Sequence, residues 1–325
     1  MKGFTMKTKK KKIGFTIVEL LTVMAVIAML LGILLPALNL VRKLAKDTYQ
    51  RAQLHSIDVG LETYSNENDG RYPESKMLGP ATPATNQMTV GSQRLAEALI
   101  GRDMLGLDPN TSWDAYADRA GDASPYASTK QPKGSSQTQV ENSLKRRQGP
   151  YLDATKAEAF QVGELFTDPT TGAGDVYDGI TFGPGAPAPV LTDTYRVKRV
   201  VRAGKTMMAG TPILYYKANT NSLTFPDTND TSSILNADAE AAIYNSRDNE
   251  ELITLGTVTD GSSVQHLFDE LGDTLTPTGR WYFYDKITNK QITSQPRPYN
   301  STGYILMSAG FDGIFGTRDD IYNFD

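Results

Sequence analysis

The chain has 325 residues, no cysteine, two histidines and a formal net charge of −4, with 39% hydrophobic and 22% charged residues. A cysteine-free sequence excludes disulfides, thiol catalysis and cysteine-ligated zinc, and His55 and His266 are too few for a histidine metal cluster. The first 14 residues hold six lysines and no acid, so the remainder carries 27 basic against 37 acidic residues, a net of −10, which is a poor match to phosphate backbones; no nucleic-acid partner is expected.

The basic stretch ends in Lys7 and Lys9 to Lys12, and an apolar run follows over residues 15–35, FTIVELLTVMAVIAMLLGILL. At about 1.5 Å per residue, 21 residues make about 31 Å of helix, enough to cross the hydrocarbon core of a bilayer. The lysines hold their end in the cytoplasm and send everything after Pro36 outward. A secretory signal peptide has a shorter apolar region, about 7–15 residues, and a small-residue cleavage site. Leu34-Leu35-Pro36-Ala37-Leu38 offers none. A plain signal anchor accounts for length and orientation but not for Glu19. A carboxylate in a hydrophobic span costs about 2.5–3.5 kcal/mol, which an ordinary anchor has no reason to bear. Pro36, four residues after Gly32, removes one helix hydrogen bond and crowds the carbonyl behind it. A bend between Gly32 and Pro36 is one reading; a helix that tolerates proline as it leaves the membrane is the other.

The stretch Lys12-Ile13-Gly14-Phe15-Thr16-Ile17-Val18-Glu19-Leu20 resembles the processing motif of type IV prepilins and type II secretion pseudopilins. The resemblance implies a leader, residues 1–14, cut after Gly14 by prepilin peptidase, with methylation of the new N-terminal residue, Phe15. It makes Glu19 the fifth mature residue, placed to meet the terminal amine of a neighbouring subunit and set the register of packed helices. It also favours a functional bend at Gly32 and Pro36. The implied partners are the peptidase, membrane lipid, an inner-membrane assembly platform and other pilin-like subunits of a homo- or hetero-oligomeric filament. The implied location is the inner membrane, N-terminus cytoplasmic and head periplasmic, with a periplasmic or extracellular filament after assembly.

Residues 15–36 thus read as a membrane-spanning or filament-core helix and 37–68 as its extension outside the membrane. Leu54, Ile57, Leu61 and Tyr64 recur at helical steps, and Asn68-Asp69-Gly70 supplies turn chemistry that ends the rod. His55, inside this rod, reads as a solvated or helix-packed residue. Residues 69–325 read as an α+β head in which the long helix packs on an antiparallel sheet, with large loop insertions. Residues 92–101 read as a short capped helix closed by Gly101. Further helices are expected over 153–160, 236–245 and 264–271, and strands over 194–202, 213–217, 281–287 and 303–308, where β-branched and aromatic residues concentrate. Residues 118–149 read as a surface insertion, with Lys145-Arg146-Arg147 a solvated cluster, and residues 183–189 as a Gly/Pro loop. Gly210-Thr211-Pro212-Ile213-Leu214-Tyr215-Tyr216-Lys217 loosely resembles a strand of major pseudopilins.

Near the C-terminus, Asp312, Asp319 and Asp320 fall within nine residues among several glycines, a hard-oxygen donor set suited to calcium and not ordered as an EF-hand. The segment from Ser308 to Ile321 resembles the C-terminal loop of major pseudopilins, which implies a calcium ion held by Asp312 and Asp319, then Asp320, with backbone carbonyls near Ala309 and Thr317. Arg318 neutralising the acids, or a turn without metal, is the alternative. No nucleophile elbow, P-loop or zincin motif is present, so no enzyme activity is expected. The reading is a structural subunit of a type II secretion pseudopilus. The alternatives are a type IV pilin for adhesion, motility or DNA uptake, and an unprocessed membrane-anchored binding module.

Overall fold

The computed structural model describes residues 16–75, 90–101, 104–107, 144–153, 157–161, 165, 189–196, 198–202, 205–227, 242–249, 252, 277–313, 315 and 319–324. The chain divides into two compact units, Met1–Ala45 and Lys46–Asp325. Helix α1, Ile17–Glu67, has 51 residues and runs unbroken through Pro36. At 1.5 Å per residue it is about 75 Å long. In the first unit its large apolar side chains are exposed all round, from Ile17 through Met29 to Leu40. The helix is long and apolar enough to cross a membrane. An exposed apolar surface of this extent marks a face that meets lipid or other protein.

In the second unit α1 has one buried face: Gln50, Gln53, Leu54, Ile57, Gly60, Leu61 and Ser65. The two glutamines precede the apolar residues on this face and hold irregular backbone. Gln53 Nε2 donates to the carbonyls of Thr192 at 2.9 Å and Ala157 at 3.2 Å. Gln50 Oε1 accepts from the Thr194 N–H at 2.8 Å and its hydroxyl at 3.0 Å. The rod stops at the Asn-Asp-Gly turn, where Asp69 (φ 55°) and Gly70 (φ 75°) are left-handed and the Gly70 N–H returns to the Ser65 carbonyl at 2.8 Å.

The next helix, α2 (Gly91–Ile100), begins one residue before Ser92, with Val90 at the cap. Ser92 serves tertiary contacts: its Oγ donates to the Ile213 carbonyl at 2.6 Å and its N–H to Asn249 Oδ1 at 2.9 Å. A Cβ on Gly91 would fall 2.0 Å from the Tyr215 carbonyl oxygen, so only glycine lets the helix start so close to the sheet.

That sheet is antiparallel, of β5 (Leu214–Lys217), β6 (Tyr304–Ser308) and β7 (Ile321–Tyr322), in that order. Its register pairs Tyr215 with Leu306 and Met307 with Tyr322. Side chains alternate between two buried layers. Ile213, Tyr215, Tyr304, Leu306 and Ile321 join Leu54, Ile57 and Leu61 of α1 and Leu95 and Leu99 of α2. Leu214, Tyr216, Ile305, Met307 and Tyr322 join Phe283, Tyr284 and Ile287. These last three lie on helix α3, Pro277–Ile287. Residues 281–287, expected as a strand, are therefore the helix covering the far face. Aromatic content favours strands in isolation, but Phe283, Tyr284 and Ile287 repeat at helical spacing behind Pro277 at the first helical position. A sheet covered on both faces also explains the continuous apolar runs in β5 and β6.

Two further two-stranded antiparallel pieces complete the described head. Strand β1 (Ala159–Gln161) pairs with β2 (Pro189–Leu191), and β3 (Lys198–Arg202) with β4 (Lys205–Ala209). The helix expected over 153–160 is thus corrected at its end: Ala157 and Glu158 form a turn, Glu158 is left-handed at φ 49°, and strand β1 follows. The expected strand over 194–202 starts only at Lys198, after a turn at Thr194 and Tyr195. Residues 242–245 are bridge and bend leading into a short 3₁₀ turn, Ser246–Asn249, not helix. In the basic cluster, Arg147 is docked by a bond from its guanidinium to the Gly106 carbonyl at 2.9 Å. The expected helix over 264–271, residues 236–241, the loop over 183–188 and residues 118–143 of the insertion lie outside the described residues. The architecture is α+β: a long helix on an antiparallel sheet.

Candidate assembly site and carboxy-terminal loop

Thr16 and Glu19 form a reciprocal cap at the start of α1. The Thr16 N–H and hydroxyl both donate to Glu19 Oε2 at 2.8 Å, and the Glu19 N–H donates to Thr16 Oγ1 at 3.2 Å. The Thr16 carbonyl accepts the first helical bond, from the Leu20 N–H at 3.2 Å. This is the S/T-x-x-E capping box, in which two otherwise orphaned backbone donors are satisfied at once. Glu19 therefore has a local use inside the apolar segment, a signal present in the sequence as Thr16-Ile17-Val18-Glu19. Only Oε2 is engaged, and Oε1 makes no hydrogen bond among the described residues. The carboxylate is thus oriented by its own helix through one of its two oxygens.

Gly14 and Phe15, on either side of the expected cut, lie outside the described residues. Gly32 and Pro36 sit within continuous helix, and a Cβ on Gly32 would meet nothing within 4 Å.

At the other end of the chain, the turn over residues 310–313 folds back on the approach to β7. The Asp312 N–H donates to Asp319 Oδ2 at 3.1 Å. Gly310 is left-handed at φ 69°, and a Cβ there would lie 2.0 Å from the Asp319 carbonyl oxygen. Asp320 is buried and Asp312 exposed. Among the described residues no three metal-ligating side chains come together, and Thr317 and Arg318 lie outside them. The carboxylates of Asp312, Asp319 and Asp320 are hard-oxygen donors of the kind calcium takes, and the turn already brings Asp312 to Asp319 through the Asp312 N–H.

Behind the turn sits Asp193, a fully buried carboxylate that sequence reasoning missed. Its Oδ1 accepts from the Thr211 and Tyr195 N–H groups, both at 3.2 Å, and its Oδ2 from the Ser308 hydroxyl at 3.4 Å. Donors from three segments converge on this acid, which stitches the entry of β5 to the end of β6. The tail itself is tied to α1 through Asp58. Oδ1 of Asp58 accepts from the Tyr304 hydroxyl at 2.9 Å and from Asn323 Nδ2 at 3.2 Å. Burial pushes this carboxyl above its ordinary range, against the pull of those two hydrogen bonds and of His55. His55 itself is exposed on α1. Beside it, the Tyr72 hydroxyl donates to Glu62 Oε1 at 2.6 Å, and burial with that carboxylate pushes the phenol up to about 12.

No curated protein and no solved structure matches the chain. Residues 9–35, which contain the capping box and most of the apolar run, match the family described as the prokaryotic N-terminal methylation motif, a motif of structural subunits that supports a type IV pilin-like chain processed at its N-terminus.

Proposed function

We propose that the chain is a structural subunit of a type II secretion pseudopilus. Prepilin peptidase cuts after Gly14 and methylates Phe15; the helix over 15–36 holds the subunit in the inner membrane, N-terminus cytoplasmic and head periplasmic. An assembly platform then packs these helices into the core of a filament with other pilin-like subunits. The observation that carries the reading is the capped carboxylate of Glu19 at the head of a helix whose apolar side chains are exposed all round. A carboxylate aimed by its own Thr16 is prepared to take the charged amine of an adjoining subunit, and a buried charge left without that partner is costly. Gly32 and Pro36 supply the place where the rod bends as helices pack, because the bond Pro36 cannot donate weakens the ladder there.

The pseudopilus reading is preferred to a type IV pilus because of the C-terminal turn. The Asp312-to-Asp319 closure lies in the segment resembling the loop of major pseudopilins, and we include a calcium ion held by Asp312, Asp319 and Asp320 in the proposal. In a head without disulfides, a metal clip fastens the tail. Deleting the gene in its host and assaying exoprotein release and surface motility separates the readings. Loss of release with motility intact supports the pseudopilus; loss of motility or DNA uptake with release intact supports a type IV pilus.

A further inference from the structure

The charge of this chain is segregated. Residues 194–226 contain six basic residues (Arg196, Lys198, Arg199, Arg202, Lys205, Lys217) and no acid. After the leader is set aside, the rest of the chain has 21 basic and 37 acidic residues, a net of −16. The centre of this positive island is the ribbon of β3 and β4, which pairs with no third strand among the described residues.

The ribbon is rooted and presented. Val200 and Ala209 are buried in the layer that also holds α3. At its base Arg196 (φ 55°) and Glu158 (φ 49°) hold each other through a forked ion pair, with Arg196 Nε at 2.9 and 3.1 Å from the two carboxylate oxygens. Lys217 is likewise paired, with Glu74. Arg199 and Lys205 are exposed and have no ion-pair partner among the described residues. Met208, 45% exposed, stands directly opposite Arg199 on one face of the ribbon, and Met207, 39% exposed, lies with Lys205 on the other, so each face carries a basic residue and an uncovered methionine.

Charged residues on an open strand edge also guard against strand-on-strand aggregation. Lysine is a common guard of that kind, so the basic residues alone do not separate the two roles. The two partly exposed methionines are what a guard role leaves unaccounted for. Arginine and methionine together are typical of the buried centre of protein interfaces, and methionine adapts its shape to a partner.

We propose that the β3–β4 ribbon docks on the acidic head surface of a second copy of this chain. The contact is heterologous, a basic patch on one copy against a different, acidic surface on the next. Contacts of this type propagate into open helical assemblies instead of closing as dimers. Copies of net −10 repel one another, and a positive island gives each head one orientation in which the field is attractive. The proposal rests on the filament-subunit reading above.

The test uses the full chain in its host, with two variants of exposed residues. In the first, Met207→Cys places the sole thiol in a cysteine-free sequence, to which a photo-crosslinker is attached on sheared filaments; mass spectrometry identifies what it captures. The proposal expects capture of an acidic peptide from a second copy. The second variant, Arg199→Glu with Lys205→Glu, is expected to be processed and to keep its melting midpoint, yet to lower filament yield about tenfold, while Arg199→Gln with Lys205→Gln lowers it less. Filaments in which residue 207 captures no second copy, or in which charge reversal leaves the yield unchanged, overturn the proposal but not the functional reading. Unchanged yield with lost binding to a heparin column assigns the ribbon to a free polyanion instead. Absence of any wild-type filament overturns the functional reading itself.

Discussion

Replacing Gly310 by alanine tests the C-terminal turn at its tightest point. The new Cβ would lie 2.0 Å from the Asp319 carbonyl oxygen, 2.6 Å from the carbonyl carbon and 3.1 Å from Cγ of the same residue. None of these atoms is the free end of a flexible side chain, so the turn itself must open. The left-handed backbone at φ 69° adds about 1–2 kcal/mol for any residue with a Cβ. With the displaced Asp312–Asp319 hydrogen bond, worth about 1 kcal/mol net, the loss comes to about 3 kcal/mol. For a unit of this size about 2 °C accompanies each kcal/mol, which gives a fall of about 6 °C in the melting midpoint. Gly303→Ala is the control, since its nearest neighbour, the Asn300 carbonyl oxygen, is 3.9 Å away. It should melt within about 0.5 kcal/mol of wild type. Circular dichroism melts of the full chain in detergent, with calcium present, provide the assay. If Gly310→Ala and Gly303→Ala melt together with the wild type, the turn does not close as described.

Other substitutions probe the remaining parts of the structure. Ile57→Ala empties a fully buried site between α1 and the sheet and should cost about 2–5 kcal/mol, measured by denaturant titration. Asp58→Asn keeps an acceptor for Tyr304 and Asn323 while removing a charge whose pKa is raised by burial. A raised carboxyl binds its proton more tightly in the folded state, so its contribution to stability is greatest at acid pH and is lost as pH rises through the raised pKa. The variant should therefore match wild type near pH 4 and melt higher at pH 8; a lower midpoint at pH 8 contradicts the sign. Chelator should lower the melting midpoint of wild type but not of Asp319→Ala, and an unchanged wild-type midpoint removes calcium from the proposal.

The apolar run, the long rod, its stop at Asn68-Asp69-Gly70 and strands β5 and β6 were legible because each is written in local chemistry: length of hydrophobicity, turn residues, β-branched content. What local chemistry could not show was the second layer. Helix α3 was hidden because tryptophan, tyrosine and phenylalanine favour strands until a sheet face exists for them to cover. The turn before β1 was hidden because Gln53, more than 100 positions away, holds the Ala157 carbonyl, and no local propensity encodes that bond. The capping box was readable as Thr16-x-x-Glu19, but inside an apolar span the glutamate drew attention as a cost and its threonine partner was passed over. Asp193 gave no sequence signal at all: a lone aspartate before a threonine becomes a buried hub only once β5 and β6 are paired.

The most direct measurement is the intact mass of the subunit recovered from sheared filaments. A chain beginning at Phe15 and one methyl group heavier than the bare cleavage product is the predicted result. A subunit that retains its lysine-rich leader, or a Glu19→Gln subunit that polymerises as well as the wild type, contradicts the account.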